Sequence, residues 1–331
     1  MIKIRRIKKG DTIFVHAPAN TGADLPERLI EIGISQIEAI GFKVRLSNNI
    51  NKRGKFGVAT IKERLSDLED GLHDADVSLL MPVFGGYNSN QLLDYIDFDL
   101  IKKEEKTIIG YSDITALLNG IYAKTGIKML HGISFASFCD PNIFCESINS
   151  FLQVINGEKN IELHCPDWYA DDLWYLKEDF GPREKRKHPG WWIIREGEST
   201  GRLAGGNLDT LLALSGTPFF PEMDEKILLV ESGFDENPRK FIRLFTQLSQ
   251  LGILKSIKGV IIGQFAHNSI LANEDTLKDI LSDFLTGTNY PVIANVNLSH
   301  TDPIYTIPIG GLVKVNASGI PNIIILDSLY E

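Results

Sequence analysis

Cysteine is scarce. The 331 residues hold three, Cys139, Cys145 and Cys165. The number is odd and no two stand in C-x-x-C spacing, which excludes a disulfide scaffold and a zinc ribbon and points to a reducing compartment. Long apolar runs are missing too. No uninterrupted stretch approaches the roughly 18 residues of a membrane-spanning helix, so no membrane association is expected. The basic start, Lys3-Ile4-Arg5-Arg6-Ile7-Lys8-Lys9, meets Gly10-Asp11 and then only Ile13-Phe14-Val15, too little for the apolar core of a secretion signal. A cytoplasmic location is therefore expected. Surplus positive charge is also absent: 34 Lys and Arg face 43 Asp and Glu, a net charge of −9. Binding a phosphate backbone needs clustered cations, so no nucleic-acid partner is expected.

Several motifs are missing as well. No G-x-G-x-x-G follows a strand pattern. Gly54-Lys55 runs into Phe56, which breaks the phosphate-loop pattern, and neither H-E-x-x-H nor an EF-hand loop occurs. Dinucleotide enzymes, P-loop nucleotidases and zinc peptidases lose their support. Neither a cofactor nor a metal is expected.

What is present is an ordinary globular balance, 43% apolar and 23% charged residues. The length suggests about two domains with sizeable cores. The first half alternates strand and helix signals. Strands are expected at 12–17, 43–46, 77–83 and 107–109, and helices at 26–40, 61–73, 88–95 and 113–125. This rhythm implies right-handed βαβ units and a parallel sheet. The stretch 165–190 has no clear period, and all four tryptophans lie at 168, 174, 191 and 192. It reads as a long ordered loop, a common home of function. Strand and helix patterns then resume, with strands expected at 227–230, 259–265, 292–296, 312–315 and 322–326 and helices at 240–251 and 276–285. The expected division is an N-terminal α/β domain over 1–160, a linker with the tryptophan-rich loop over 161–200, and a C-terminal α/β domain over 201–331.

The chemistry begins at Thr107-Ile-Ile-Gly-Tyr-Ser-Asp-Ile-Thr, which sets Ser112 between a buried strand and a helix. A sharp turn there exposes the hydroxyl at the carboxyl edge of the sheet, beside the free N–H groups and partial positive charge of the helix start. The backbone N–H of Asp113 could hold an oxyanion. The second glycine of a nucleophile elbow is missing, and serine is also a common helix N-cap, so the local sequence leaves both uses open. Gly85-Gly86, at the end of the preceding strand, allows close backbone approach, and the Gly86 N–H would complete a two-donor oxyanion hole. A base must come from seven histidines. His267 and His300 each follow a strand pattern, and spacing does not choose between them. Glu231, just past the strand at 227–230, could orient such a base.

Taken together these stretches resemble the LD-carboxypeptidase family of serine peptidases, in particular its microcin C self-immunity (MccF-like) branch. The resemblance rests on Gly10-Asp-Thr with Ala17-Pro18, Pro82-Val-Phe-Gly-Gly-Tyr-Asn-Ser-Asn-Gln-Leu-Leu, Gly110-Tyr-Ser-Asp-Ile-Thr-Ala-Leu, Gly201-Arg-Leu-Ala-Gly-Gly-Asn-Leu, Leu228-Leu-Val-Glu and His300-Thr-Asp-Pro, in order along nearly the whole chain. It implies a flavodoxin-like N-terminal domain, a C-terminal α/β domain and an active site in the cleft between them. It also implies a homodimer that needs no metal. By motif it implies Ser112 as nucleophile, Glu231 as orienting carboxylate and His300 as general base, with Gly86 and Asp113 as backbone oxyanion donors. The implied substrates are small molecules, either aminoacyl- or peptidyl-nucleotides of the microcin C kind or, alternatively, murein tetrapeptides that lose a terminal D-Ala. For the first, Trp174 is the expected stacking face and Asn207 and Gly85 expected ligand contacts. Trp174 could equally pack the loop, and Asn207 could cap the next helix. A catalytically silent binding protein is the non-enzyme reading. A glutamine-amidotransferase-like enzyme would need cysteine where Ser112 stands.

Overall fold

The computed structural model describes residues 4–177, 179–234 and 236–331. The expected strands form, with small shifts at their ends. The first sheet contains β1 (Thr12–His16), β2 (Lys43–Leu46), β3 (Val77–Pro82), β4 (Thr107–Gly110) and β5 (Met129–His131), together with β14 (Ile307–Ile309) from far along the chain. Its order is β14-β5-β4-β3-β1-β2. Strands β1 to β5 pair in parallel in the flavodoxin-like order 2-1-3-4-5, and β14 adds antiparallel to β5. Such sheets bind ligands outside the carboxyl ends of their strands, and β4 delivers Ser112 to that edge.

The second sheet contains β6 (Ile161–Leu163), β9 (Trp192–Arg195), β10 (Gly197–Asn207), β11 (Lys226–Glu231), β12 (Gly259–Gly263), β13 (Val292–Val296), β15 (Leu312–Ala317) and β16 (Asn322–Ile325), in the order β6-β16-β15-β10-β11-β12-β13-β9. Its centre, β10 to β13, is parallel. A small hairpin, β7 (Trp168–Tyr169) with β8 (Arg186–Lys187), lies in the middle stretch. The two sheets do not follow the boundaries at 160 and 200. β6 and β9 pair in the second sheet, and β14 crosses back to the first.

Local sequence explains the helices. Thr60 and Glu63 form a capping box that starts Ile61–His73. Asn237 caps Pro238–Gln250, with Pro238 in the first turn, and Asn273 caps Glu274–Leu285. The expected helix at 88–95 is instead a short 3-10 turn, Ser89–Leu92. The helix after Ser112 begins as a 3-10 turn, Ser112–Ile114, and continues as Thr115–Thr125. That second helix is buried over most of its length, with Ala123 and Lys124 exposed in its last turn.

Alternation along the second sheet decides how the halves join. Leu203, Ile227, Leu229, Ile261 and Ile293 belong to one continuous apolar core with the first sheet and its helices. Their neighbours Ala204, Leu228, Val230, Ile262 and Val292 point the other way, into a second core under Pro238–Gln250 and Glu274–Leu285. Successive strand side chains point to opposite faces, so one sheet serves both cores. The halves share buried apolar surface, which fixes the edge where the carboxyl ends of β4, β11 and β13 meet.

The middle stretch is pinned by ions. Arg183, with its side chain almost fully buried, reaches Asp140 at 2.6 Å, Asp172 at 2.9 Å and Asp302 at 2.9 Å. Lys177 adds a second cation on Asp172 at 2.8 Å. One guanidinium thus ties the first domain, the middle stretch and the turn after His300. Burial works against the charged form of Asp172, but hydrogen bonds and charge from Lys177 and Arg183 outweigh it and hold the carboxyl below its usual range. Arg183→Met strands these carboxylates. It is expected to cost about 3–5 kcal/mol of stability, read from the urea midpoint at neutral pH. A loss below about 1 kcal/mol would mean that water reaches the cluster.

Candidate active site

Ser112 sits in the left-handed region at φ 60. It caps neither helix: the cap positions are Tyr111 and Ile114, and neither makes a side-chain cap bond. The strained turn directs the serine into a cleft of about 300 Å³ lined by Gly86, Tyr87, Asn207, Phe234, Lys240 and His300, among others. A non-glycine residue in this conformation costs on the order of 1 kcal/mol. Ser112→Gly is therefore expected to be more stable than Ser112→Ala by about that amount in paired urea titrations. Equal midpoints would show that the turn carries no strain.

Three segments converge on the serine. At the end of β11, Glu231 is buried. Its Oε2 lies 2.8 Å from His300 Nδ1, and its Oε1 accepts the Ser112 backbone N–H at 3.2 Å. Burial raises the cost of the Glu231 charge, but the His300 charge and hydrogen bond oppose it, and the carboxyl lies below its ordinary value. His300 follows β13, with the Tyr111 ring edge-on at 5.1 Å and the Phe234 ring at 5.9 Å. Its segment is held by buried polar bonds: Ser299 Oγ donates to the Ser232 carbonyl at 3.1 Å, and Thr301 Oγ1 donates to Gln264 Oε1 at 2.9 Å. A Cβ at Gly263 would lie 2.7 Å from Ser299 Cβ and 3.1 Å from Glu231 Cβ. Glycine there lets these two residues lie side by side.

The third wall is the turn after β3. A Cβ on Gly85 would come within 2.9 Å of Ser112 Cβ and 3.1 Å of the Asp113 nitrogen. The absence of a side chain is what allows this backbone to approach the serine. Gly86 lines the cleft beside Ser112. Asp113 offers its N–H next to the serine, while its carboxylate faces away and accepts from the Asn88 and Ser89 backbone at 3.1 and 2.9 Å. Burial lifts the Asp113 carboxyl, opposed by those bonds and by Arg64. The side chain of Asp113 thus fastens the Gly85–Ser89 turn to the helix start.

Ser112, His300, Gly86 and Asn207 line one cleft, with Glu231 bonded behind it and Gly85 and the Asp113 N–H against the serine. Asn207 does two things at once. Its Oδ1 caps Leu208–Leu212 through the Thr210 N–H at 3.2 Å, and its side chain lies near enough to Glu231 to favour the carboxylate's charge. Its backbone N–H donates to Thr115 Oγ1 at 2.9 Å, tying β10 to the helix behind Ser112. His267 is elsewhere, held by Asp171 at 2.8 Å. Trp174 is not in the cleft. It is 8% exposed within the first core, edge-on to Tyr175 and Phe180. The stacking place expected of it is not where its ring sits, because the Arg183 cluster draws this stretch against the body and buries the indole. The aromatic faces at the cleft are Tyr87, 90% exposed, and Phe234, 45% exposed. The sequence offered a signal for both, since each follows a glycine just after a candidate catalytic strand. Lys240 and Thr210 carried none.

A serine, a carboxylate-bound imidazole and a glycine-rich turn beside a helix start suit acyl transfer. The family models agree with that chemistry. Residues 13–132 match the LD-carboxypeptidase N-terminal domain and residues 200–315 its C-terminal domain. The chain belongs to the LD-carboxypeptidase family of serine peptidases. YocD of Bacillus subtilis, which carries a carboxypeptidase name, is 34% identical over 94% of this chain and 95% of its own length. The microcin C7 self-immunity protein MccF of Escherichia coli is 30% identical over 91% of this chain and 89% of its own. Among solved structures, an MccF-like protein from Bacillus anthracis superposes with a TM-score of 0.93 at 33% identity, covering 98% of this chain and 99% of that one. MccF in complex with glutamyl sulfamoyl guanosine superposes at 0.91 and 26% identity over the full length of both chains. The protein is a hydrolase of this serine peptidase family, and its two-domain α/β fold is the family's. Among the described residues no helix is long and apolar enough to cross a membrane.

Proposed function

We propose that the protein hydrolyses the amide-type bond joining an aminoacyl or peptidyl group to a modified nucleotide. Ser112 is the nucleophile, His300 the general base and Glu231 the group that orients it. The observation that carries the reading is the shared Glu231 carboxylate, 2.8 Å from His300 Nδ1 and 3.2 Å from the Ser112 nitrogen. One buried anion holds the base and the nucleophile's turn in the same frame.

In this reading Ser112 Oγ attacks the carbonyl carbon as His300 Nε2 takes its proton. Glu231 keeps the opposite ring proton on Nδ1 and favours the imidazolium that forms. The Gly86 and Asp113 N–H groups meet the oxyanion, where one such donor is worth about 10²–10³ in turnover. His300 then protonates the leaving nitrogen. Water attacks the acyl-enzyme with His300 again as base, which frees the acid and restores Ser112.

The nucleotide half of the substrate rests on the likeness to MccF, whose complex holds glutamyl sulfamoyl guanosine, and on the cleft's own lining. Tyr87 and Phe234 present aromatic faces, and stacking on a base is worth about 1–3 kcal/mol. Asn207, Thr210 and Lys240 supply polar contacts for the linkage and the aminoacyl group.

The test gives the purified protein an aminoacyl sulfamoyl adenosine and, separately, a murein tetrapeptide, with products identified by mass spectrometry. Free amino acid from the nucleoside is the expected result. Loss of D-Ala from the tetrapeptide alone would make the protein a cell-wall carboxypeptidase. Tight binding of either without turnover would leave a binding protein.

A further inference from the structure

The bonds that fix the His300 segment come mostly from its own domain, through Ser232 and Gln264. Another, close to the nucleophile's strand, comes from the other side. His131 ends β5 and pairs with Gly110, the last residue of the strand that delivers Ser112. Its Nε2 lies 3.0 Å from the carbonyl of Leu298, two residues before His300. A carbonyl can only accept, so Nε2 carries the ring proton. The ring is fully buried, and Nδ1 has no hydrogen-bond partner among the described residues. The neighbouring Gly132 N–H donates to the Gly110 carbonyl at 3.1 Å. An unbroken set of short bonds therefore runs from the strand under Ser112, through His131, to the segment that presents His300.

We propose that His131 is a positioning residue of the active site: through Nε2–H to the Leu298 carbonyl it aligns His300, carried by one domain, with Ser112, carried by the other. This deepens the Ser-Glu-His reading and rests on it.

The charge state fits the role. Burial lowers the basicity of His131, opposed by Glu231 and the Leu298 bond and aided by His300. A neutral ring at this point leaves the positive charge of the reaction to develop on His300 alone. A second imidazolium behind Glu231 would compete for the same carboxylate. Groups that face His300 include Glu231, Tyr111 and Phe234, with His131 behind and the charged Asp209 and Lys240 on the same cleft. Glu231, bonded to Nδ1, supplies a charge that favours the imidazolium.

The experiment compares wild type, His131→Leu and His131→Gln. The glutamine amide can place an N–H where Nε2–H stands; leucine cannot. The first readout needs no substrate: the downfield proton resonance of His300 Nδ1–H bonded to Glu231. His131→Leu is expected to lose or broaden it and His131→Gln to keep it. The second readout is kinetic. Small misplacements of a base cost on the order of 10²-fold, so His131→Leu is expected to lower kcat 10- to 100-fold with KM within about twofold. Its acid limb in kcat/KM should move to lower pH, since a misaligned carboxylate favours the imidazolium less. His131→Gln should recover most of both. A folded His131→Leu protein with the resonance, kcat and acid limb of wild type overturns the proposal. So does a His131→Gln protein as impaired as His131→Leu, which would decide the matter if the leucine variant does not fold. If wild type turns over neither substrate and the resonance still depends on His131, the functional reading fails while the positioning role stands.

Discussion

Ser112→Ala is expected to lower kcat by about 10⁴–10⁶-fold with KM little changed. At 1.36 kcal/mol per decade this is about 5–8 kcal/mol of transition-state stabilisation. The size follows from the geometry. The alanine methyl fits where the hydroxymethyl stood, and the backbone at φ 60 is unaltered. Gly85, Gly86 and the Asp113 N–H keep their places, so the substrate carbonyl is still held. In the proposed mechanism, what is lost is covalent catalysis itself. The remaining activity is what binding and the oxyanion donors supply to a water attack. Steady-state kinetics give the ratio, and calorimetry of the variant with intact aminoacyl sulfamoyl adenosine checks that affinity survives. A variant retaining more than about one hundredth of wild-type kcat would remove Ser112 from the role of nucleophile.

Glu231→Gln is the second large effect, about 10³–10⁴-fold in kcat. The amide is nearly isosteric with the carboxylate, so packing beside Ser299 and Gly263 survives. Its N–H can donate to His300 Nδ1, which leaves the ring proton on Nε2, where it can no longer accept from Ser112. The same substitution has a signature in stability. The Glu231 carboxyl lies below its unfolded value, because the charge and hydrogen bond of His300 work against the cost of burial. Its stabilisation is therefore fully present above the unfolded pKa and is lost as the pH falls through the folded value. Urea midpoints of wild type should fall more steeply than those of Glu231→Gln on the acid side of the ordinary carboxylate range. Parallel curves would mean that Glu231 is not ionised in the folded protein.

Much of the fold was legible in the residues. The strands at 12–16, 77–82 and 292–296 are mostly apolar and wholly buried because both of their faces are covered. The helices expected at 61–73, 240–251 and 276–285 from apolar spacing form at 61–73, 238–250 and 274–285, where Thr60, Asn237 and Asn273 cap them. The motifs that led to the family are also local. Ser112 had to stand between strand and helix, and Gly85 had to be bare for the chain to pass Ser112 within contact.

The tertiary structure decided the rest. No local pattern could choose His300 over His267, since each follows a strand. The choice is made by where β11 and β13 lie in the sheet, which puts Glu231 against one histidine and Asp171 against the other. β14 carries only three residues, and its place is set by β5 offering an open edge, not by its own sequence. Trp174 reads in sequence as a free aromatic in a polar loop. Its burial depends on Arg183 finding Asp140 and Asp302, residues 43 and 119 positions away. Sequence by itself determined the elements, the two α/β halves and the chemical type of the site, because periodicity, caps and glycine turns act over a few residues. Which side chains meet was decided by sheet order and by buried charge, whose energies exist only once distant segments exclude water together.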